Sequence, residues 1–244
     1  IKAVGVNVPG IPGIIVGRTG FIAAGVTNGY ADIQDLYLET VDPENPDHYL
    51  EGSKSIPFKT IKETLKIKDK DGPDGFRHED FTIRLTRRGP EISPVLKELD
   101  SPHLFTLRWS PFESMGPKMG FFDLLRSKDV HEARKGLSFV NAIMLNFVLA
   151  DTKGNIAWQT VGRVPIRSQK DGTLPYAVKD SQDNWEGFIP WEEMPKRINP
   201  ASGWVGTCNH TTVTNEYPYY FSSHFSPSWR QRRLIELMSS PGKK

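Results

Sequence analysis

Residues 26–39 read "VTNGYADIQDLYLE". Thr27-Asn28-Gly29 is a turn signal, because Asn and Gly tolerate the left-handed backbone that tight turns need. After it, Asp32 and Asp35 stand three residues apart, and the run from Ile33 to Glu39 reads as a short apolar strand. The polar turn is crowded against strands on both sides. The same pattern extends upstream, with strands expected over 3–8, 13–17, 20–26 and 33–39, punctuated by Pro9-Gly10 and Pro12-Gly13.

Downstream, 41–75 is polar, with a charge run from Lys66 to Asp74. It reads as a surface excursion carrying a few hairpin strands. "FTIRLTRRGPEI" (81–92) alternates Phe81, Ile83 and Leu85 with polar residues and predicts a half-buried strand ending at Gly89-Pro90. "HLFTLRW" (103–109) predicts another. Helical spacing follows in 119–129 and 130–142, with Ser127 or Asp129 as cap of the second helix. "IMLNFVLADTKGNIAWQTVGRVP" (143–165) reads as a hairpin about the turn 151–155. Residues 166–200 are loop-rich and pinned by aromatics, and "GWVGTCNHTTV" (203–213) reads as a strand or strand end. The last helix spans 226–240, with Ser226 and Pro227 as cap and first turn. The class is α+β with antiparallel strands dominating, in a single domain over 1–244.

The chain has 244 residues, 37% of them hydrophobic and 25% charged, enough apolar residues for a sizeable core. Its 31 basic and 29 acidic residues leave a net charge of +2, which gives no argument for nucleic acid or an anionic membrane as partner. No apolar run is long enough to span a bilayer, and no secretory leader pattern is visible. The single cysteine, Cys208, excludes an internal disulfide framework. The first residue is Ile1 rather than Met, which reads as a processed, trimmed or subcloned chain.

The six histidines form no HxxxH or HExxH pattern, and one cysteine cannot build a zinc ribbon. GxSxG, GxxxxGK[ST] and GxGxxG are absent. Cys208 and His210, two apart, make a poor nucleophile and base, since side chains in that geometry rarely meet at catalytic distance. Asp32, Asp35 and the Gln34 carbonyl make either a solvated turn or oxygen ligands for a hard cation. Asn28 and Asn209 either form turns or donate hydrogen bonds into a cleft, as an oxyanion site requires. Arg230, Arg232 and Arg233 share a helix whose arginines are either a solvated face or salt-bridged.

Several stretches together resemble the penicillin amidase family of acylases. They are "PGIPGIIVGRTGFIAAGVTNGYADIQDLYLE", "RRGPEI", "LADTKGNIAWQTVGRVPIR", "WEGFIPWEEMPKRINPASGWVGTCNHTTV" and "SPSWRQRRLIELM". Each piece is weak. The ordered series, running from about residue 8 to 238, is specific. The resemblance implies an N-terminal-nucleophile hydrolase with a four-layer αββα sandwich. Such an enzyme cleaves N-acyl amides of the penicillin, cephalosporin or N-acyl homoserine lactone type. The family's nucleophile is the N-terminal Ser of a self-cleaved β chain, with its own α-amine as base.

Residue by residue, the resemblance implies that Asn28 supplies a backbone N–H to the oxyanion. Asn209 gives the second donor, and Arg230 supports both from a helix. Asp32, Asp35 and the carbonyls of Gln34 and Pro165 match ligands of a structural calcium ion. Val16 and Val26 match positions lining the acyl pocket. Organic cofactors are not implied. The family's Gly-His-Asn stands here as Gly17-Arg18-Thr19, and its Ala-Asn strand end as Thr207-Cys208-Asn209. A further acidic calcium ligand is expected near Phe221 and Ser222, and neither residue is acidic.

Ile1 cannot be the nucleophile. The chain therefore reads as an internal fragment of the β chain, inactive alone. Its partners would be the α chain, the rest of the β chain and a small N-acylated substrate, in a periplasmic or extracellular setting by family habit. The alternatives are a non-catalytic acyl- or sugar-binding domain, a Cys208 hydrolase and a structural role.

Overall fold

The computed structural model describes residues 2–96, 101, 103–168, 171–179 and 184–240. Ile1 and parts of the loop-rich segment 166–200 lie outside the described residues. The protein is α+β, with strands mostly antiparallel and four α-helices among the described residues. Packing divides it into two compact units. One comprises Ile1–Ile33, Ser110–Arg167 and Trp185–Lys244, and the other Gln34–Trp109 and Ser168–Asn184.

The first unit is built on a six-stranded sheet: β1 (Ala3–Val6), β2 (Val16–Thr19), β3 (Ile22–Asn28), β4 (Leu145–Asp151), β5 (Ile156–Val161) and β6 (Lys196–Ile198). The strands lie side by side in chain order, each antiparallel to the next. Its helices are α1 (Ser110–Ser114), α2 (Phe121–Arg126), α3 (Val130–Leu137) and α4 (Trp229–Ser239). Register opposes Val26 to Phe147, Ala24 to Leu149 and Leu149 to Ala157. Side chains alternate faces along a strand, so these share one face. They pack with Phe121 and Leu124 of α2 and Val130, Ala133 and Leu137 of α3 in one apolar cluster.

Local chemistry explains the elements. Asp129 caps α3, its carboxylate accepting from His131 N at 3.1 Å and Glu132 N at 3.0 Å. The β4–β5 hairpin turns on Asp151, whose carboxylate accepts from the N–H of Lys153 and Asn155, each at 2.9 Å, and of Val130 at 3.1 Å. Desolvation pushes the Asp151 pKa up, but these bonds and the Asn155 amide outweigh it and hold it at about 2.

Three elements depart from expectation. The strand expected over 13–17 begins only at Val16, because Gly13 sits at φ +108. There a Cβ would lie 2.6 Å from the Phe121 backbone. Segment 203–213 forms no strand. Asn209 is left-handed at φ +63, which breaks an extended run. Helix α4 starts at Trp229 with Ser228 as its cap, without a side-chain capping bond, so Ser226 and Pro227 precede it.

In the second unit, Gln34–Glu39 pairs antiparallel with Leu104–Trp109 and parallel with Tyr176–Ala177. Segment 41–75 contributes the strands Val41–Asp42, Asn45–Glu51, Lys54–Pro57 and Lys59–Lys68. The last joins Phe76–Thr86 in a long hairpin, so the strand expected over 81–92 starts earlier and closes through a turn onto Gly89–Pro90. The centre is ionic. Arg88 and Glu39 are both fully buried and meet at 3.1 Å, while Arg88 also grips Glu51 at 2.7 and 3.1 Å. Thr86 and Thr106 donate to Glu39 at 2.8 and 3.0 Å.

Arg88→Met would leave Glu39 buried without its cation. Removing one partner of a buried pair costs about 3–5 kcal/mol. Urea denaturation should show a loss of that order. A Glu39→Gln, Arg88→Met double variant should recover part of it.

Candidate active site

On the opposite face of the first unit's sheet, Asn146 and Thr160 are buried beside Trp158. Asn146 of β4 lies between Thr27 of β3 and Thr160 of β5 in register. It is 1% exposed. Its Oδ1 accepts from Trp158 Nε1 at 3.0 Å and from the Thr160 hydroxyl at 2.8 Å. Its Nδ2 donates to the carbonyl of Asn28 at 3.1 Å, with longer contacts of 3.4 Å to the Thr27 and Thr207 hydroxyls. Those two hydroxyls bond each other at 2.8 Å. One buried amide thus ties the ends of two strands to the irregular segment after β6.

This network carries three of the expected site residues. Asn28 ends β3, and its carbonyl also accepts from Asn209 Nδ2 at 3.0 Å. Arg230, one residue into α4, donates through Nη2 to the Cys208 carbonyl at 2.7 Å and to Asn209 Oδ1 at 3.1 Å. The guanidinium therefore fixes which end of the Asn209 amide points where: Oδ1 towards α4, Nδ2 towards Asn28. An amide nitrogen carries two N–H donors, so Asn209 has a second to offer a ligand. Arg233, by contrast, pairs with exposed Glu236 at 2.9 Å, as on a solvated helix face.

Sequence reasoning missed Asn146, Thr207 and Thr27. A signal existed for the first: Asn146 interrupts the apolar run "IMLNFVLA" at a position with the parity of a buried residue. Val16 and Val26 pack against the apolar cluster on the helix-covered face rather than joining the polar network. No hydrogen bond joins Cys208 to His210 among the described residues, and His210 Nδ1 has no hydrogen-bond partner.

The four expected calcium ligands divide between the units. Gln34 and Asp35 belong to the second, where Asp35 is buried on the strand paired with Leu104–Trp109. Asp32 and Pro165 belong to the first. There Arg167 Nη2 lies 3.3 Å from the Asp32 carbonyl and 3.5 Å from its Oδ1. The Tyr220 hydroxyl stands 3.5 Å from Oδ2. Where a further carboxylate is expected, Phe221 is 2% exposed within an aromatic cluster, and its carbonyl accepts from Asp32 N at 2.8 Å. Among the described residues no three His, Cys, Asp or Glu side chains converge as metal ligands. Arg167 Nη2 thus lies beside two of the Asp32 oxygens that a cation would use.

Comparison with known proteins matches residues 1–244 to the penicillin amidase family model. The acyl-homoserine lactone acylase QuiP of Pseudomonas aeruginosa is 34% identical over 97% of this chain, which covers 28% of that protein. The penicillin acylase 2 proenzyme of Pseudomonas sp. strain SE83 is 30% identical over 98% of this chain and 30% of its own length. A solved structure, the thermostable penicillin G acylase from Alcaligenes faecalis, superposes with a TM-score of 0.71 at 21% identity, over 91% of this chain and 41% of that one. That likeness shows the fold. The chain spans under a third of the length of these two curated relatives.

Two outcomes follow from the site. Asn146→Leu keeps the branched shape, with methyls bulkier than the amide groups, and strips the acceptor from Trp158 and Thr160. Each buried group left unsatisfied costs about 1–3 kcal/mol, so chemical denaturation should show a loss of about 3 kcal/mol. Calcium or a chelator should leave Tm unchanged, whereas Arg167→Ala should lower it, with a loss of stability of about 3 kcal/mol for a mostly buried pair. A saturable rise in Tm with calcium would contradict the placement of Arg167 as the resident cation.

Proposed function

The chain belongs to the penicillin amidase family, and from that premise we propose that it supplies the oxyanion-stabilising part of an N-acyl amide hydrolase. The reading is supported above all by the hydrogen-bonded series Arg230–Asn209–Asn28, which joins positions 181 residues apart. The relatives' names, acyl-homoserine lactone acylase and penicillin acylase, support the reaction class.

In this reading an N-terminal Ser outside the chain attacks the acyl carbonyl, with its α-amine taking the proton. The carbonyl oxygen becomes an oxyanion. The second N–H of Asn209 and the backbone N–H of Asn28 donate to it. Arg230 contributes in two ways. It holds Asn209 Oδ1 so that the amide does not flip, and its charge polarises that amide towards stronger donation. Asn146 and Asn209 together clamp the Asn28 carbonyl, fixing the end of β3 before the reaction. Donors held rigidly where charge develops need no reorganisation at the moment of reaction.

The partners are the α chain and the remainder of the β chain. Proenzyme, in the name of one relative, fits a precursor cut into chains. The substrate is a small N-acylated molecule, met in the periplasm or outside the cell. Arg167 takes the place of the calcium ion.

The test uses the full-length gene product and a chromogenic fatty-acyl or phenylacetyl amide. Asn209→Ala should lower kcat by about 10²–10³-fold with little change in KM, as for loss of one oxyanion donor. An unchanged kcat would remove Asn209 from the site. The 244-residue chain alone should give no turnover, and turnover above background would show that the nucleophile lies within it.

A further inference from the structure

Strands β5 and β6 and the segment after β6 contribute to a cavity of about 130 Å³ in the first unit. Trp158 of β5 and Arg197 of β6 stand directly opposite each other in the antiparallel register. Side chains paired in this way share a face, with Cβ atoms about 5 Å apart. Both line the cavity, so an indole and a guanidinium stand side by side on one wall. The Trp158 ring is held in place, since its Nε1 donates to Asn146 Oδ1 at 3.0 Å. A second indole, Trp204, continues the lining.

Arg197 is exposed, and among the described residues it makes no hydrogen bond and no ion pair. No Asp or Glu among the described residues lines the cavity, and His210 is its other titratable group. Burial, and secondly the charge of Arg197, hold the His210 pKa below its ordinary value. The guanidinium charge is therefore felt at the cavity wall, and it meets a neutral imidazole there. A positive charge beside aromatic surface, with no carboxylate to offset it, selects an anion. The planar guanidinium fork matches a carboxylate in particular. A cavity of about 150 Å³ holds benzene, so one aromatic ring is the matching size.

We propose that this cavity binds a small aromatic carboxylate of the benzoate type, its ring against the indoles of Trp158 and Trp204 and its carboxylate on Arg197. Asn28, Asn209 and Arg230 do not line the cavity. The inference does not rest on the acylase reading, since every residue it uses lies in this chain.

The 244-residue chain is titrated with benzoate through millimolar concentrations at low ionic strength, following the His210 imidazole and the Trp158 and Trp204 indole N–H signals by NMR. Saturable shifts of all three are expected, and the His210 pKa should rise once the carboxylate offsets the charge of Arg197. Benzamide, the same ring without the charge, should bind about fivefold more weakly, as for loss of one exposed charge pair. Acetate, the charge without the ring, should also bind more weakly. Arg197→Gln removes an exposed side chain, so the fold should persist, with benzoate binding falling to the level of benzamide. Trp204→Ala should weaken benzoate and benzamide alike. Equal binding of benzoate and benzamide, acetate binding as tight as benzoate, benzoate binding untouched by Arg197→Gln, or no saturable shift would each overturn the proposal.

Discussion

The candidate site depends on one buried amide. Asn146 sits in the middle of an apolar strand, where an unmatched polar group would be costly, and the fold matches it completely. Its oxygen is fixed by groups of β5, so its nitrogen can point only towards β3 and the Asn28 carbonyl. That carbonyl in turn receives Asn209, which Arg230 orients. The order of dependence runs from the core outward. Asn28 is positioned by Asn146, which is 1% exposed, and Asn209 by Arg230 near the start of α4.

The same logic divides what the sequence made legible from what it did not. The β4–β5 hairpin and the Asp129 cap are local, with every determining contact within four residues apart from Val130 on Asp151, so pattern and turn chemistry reveal them. The strand or strand end expected over 203–213 is absent because apolar spacing is blind to a single backbone dihedral. Asn209 at φ +63 ends the extended run and turns its amide to the carbonyl of Asn28. The Asn28–Asn209–Arg230 contact spans most of the chain, and no local period encodes it. It was legible only through the ordered series of family-like stretches. Within that series, resemblance could rank residues that touch substrate. It could not rank Asn146, whose role is to hold one of them.

The second unit solves a related problem with charge instead of amides. Arg88 comes from "RRGPEI", the stretch read from sequence only as a strand end. Its guanidinium binds Glu39 and Glu51 and lies over the Tyr37 ring at 5.4 Å. Burying an ion pair gives little net stability, since desolvation consumes most of the attraction. What it gives is direction: a planar guanidinium with two carboxylates admits few arrangements, so one register of the neighbouring strands is selected over slipped ones.

Arg167 extends this to the question of calcium. An ion at Asp32 would be exchangeable, and stability drawn from it would vary with its free concentration. A guanidinium on the strand Pro165–Arg167 is covalently fixed and always charged. It reaches both the carbonyl and the carboxylate of Asp32, two of the oxygens a hard cation would use. The aromatic packing of Phe221, in place of an acid, is consistent with that exchange.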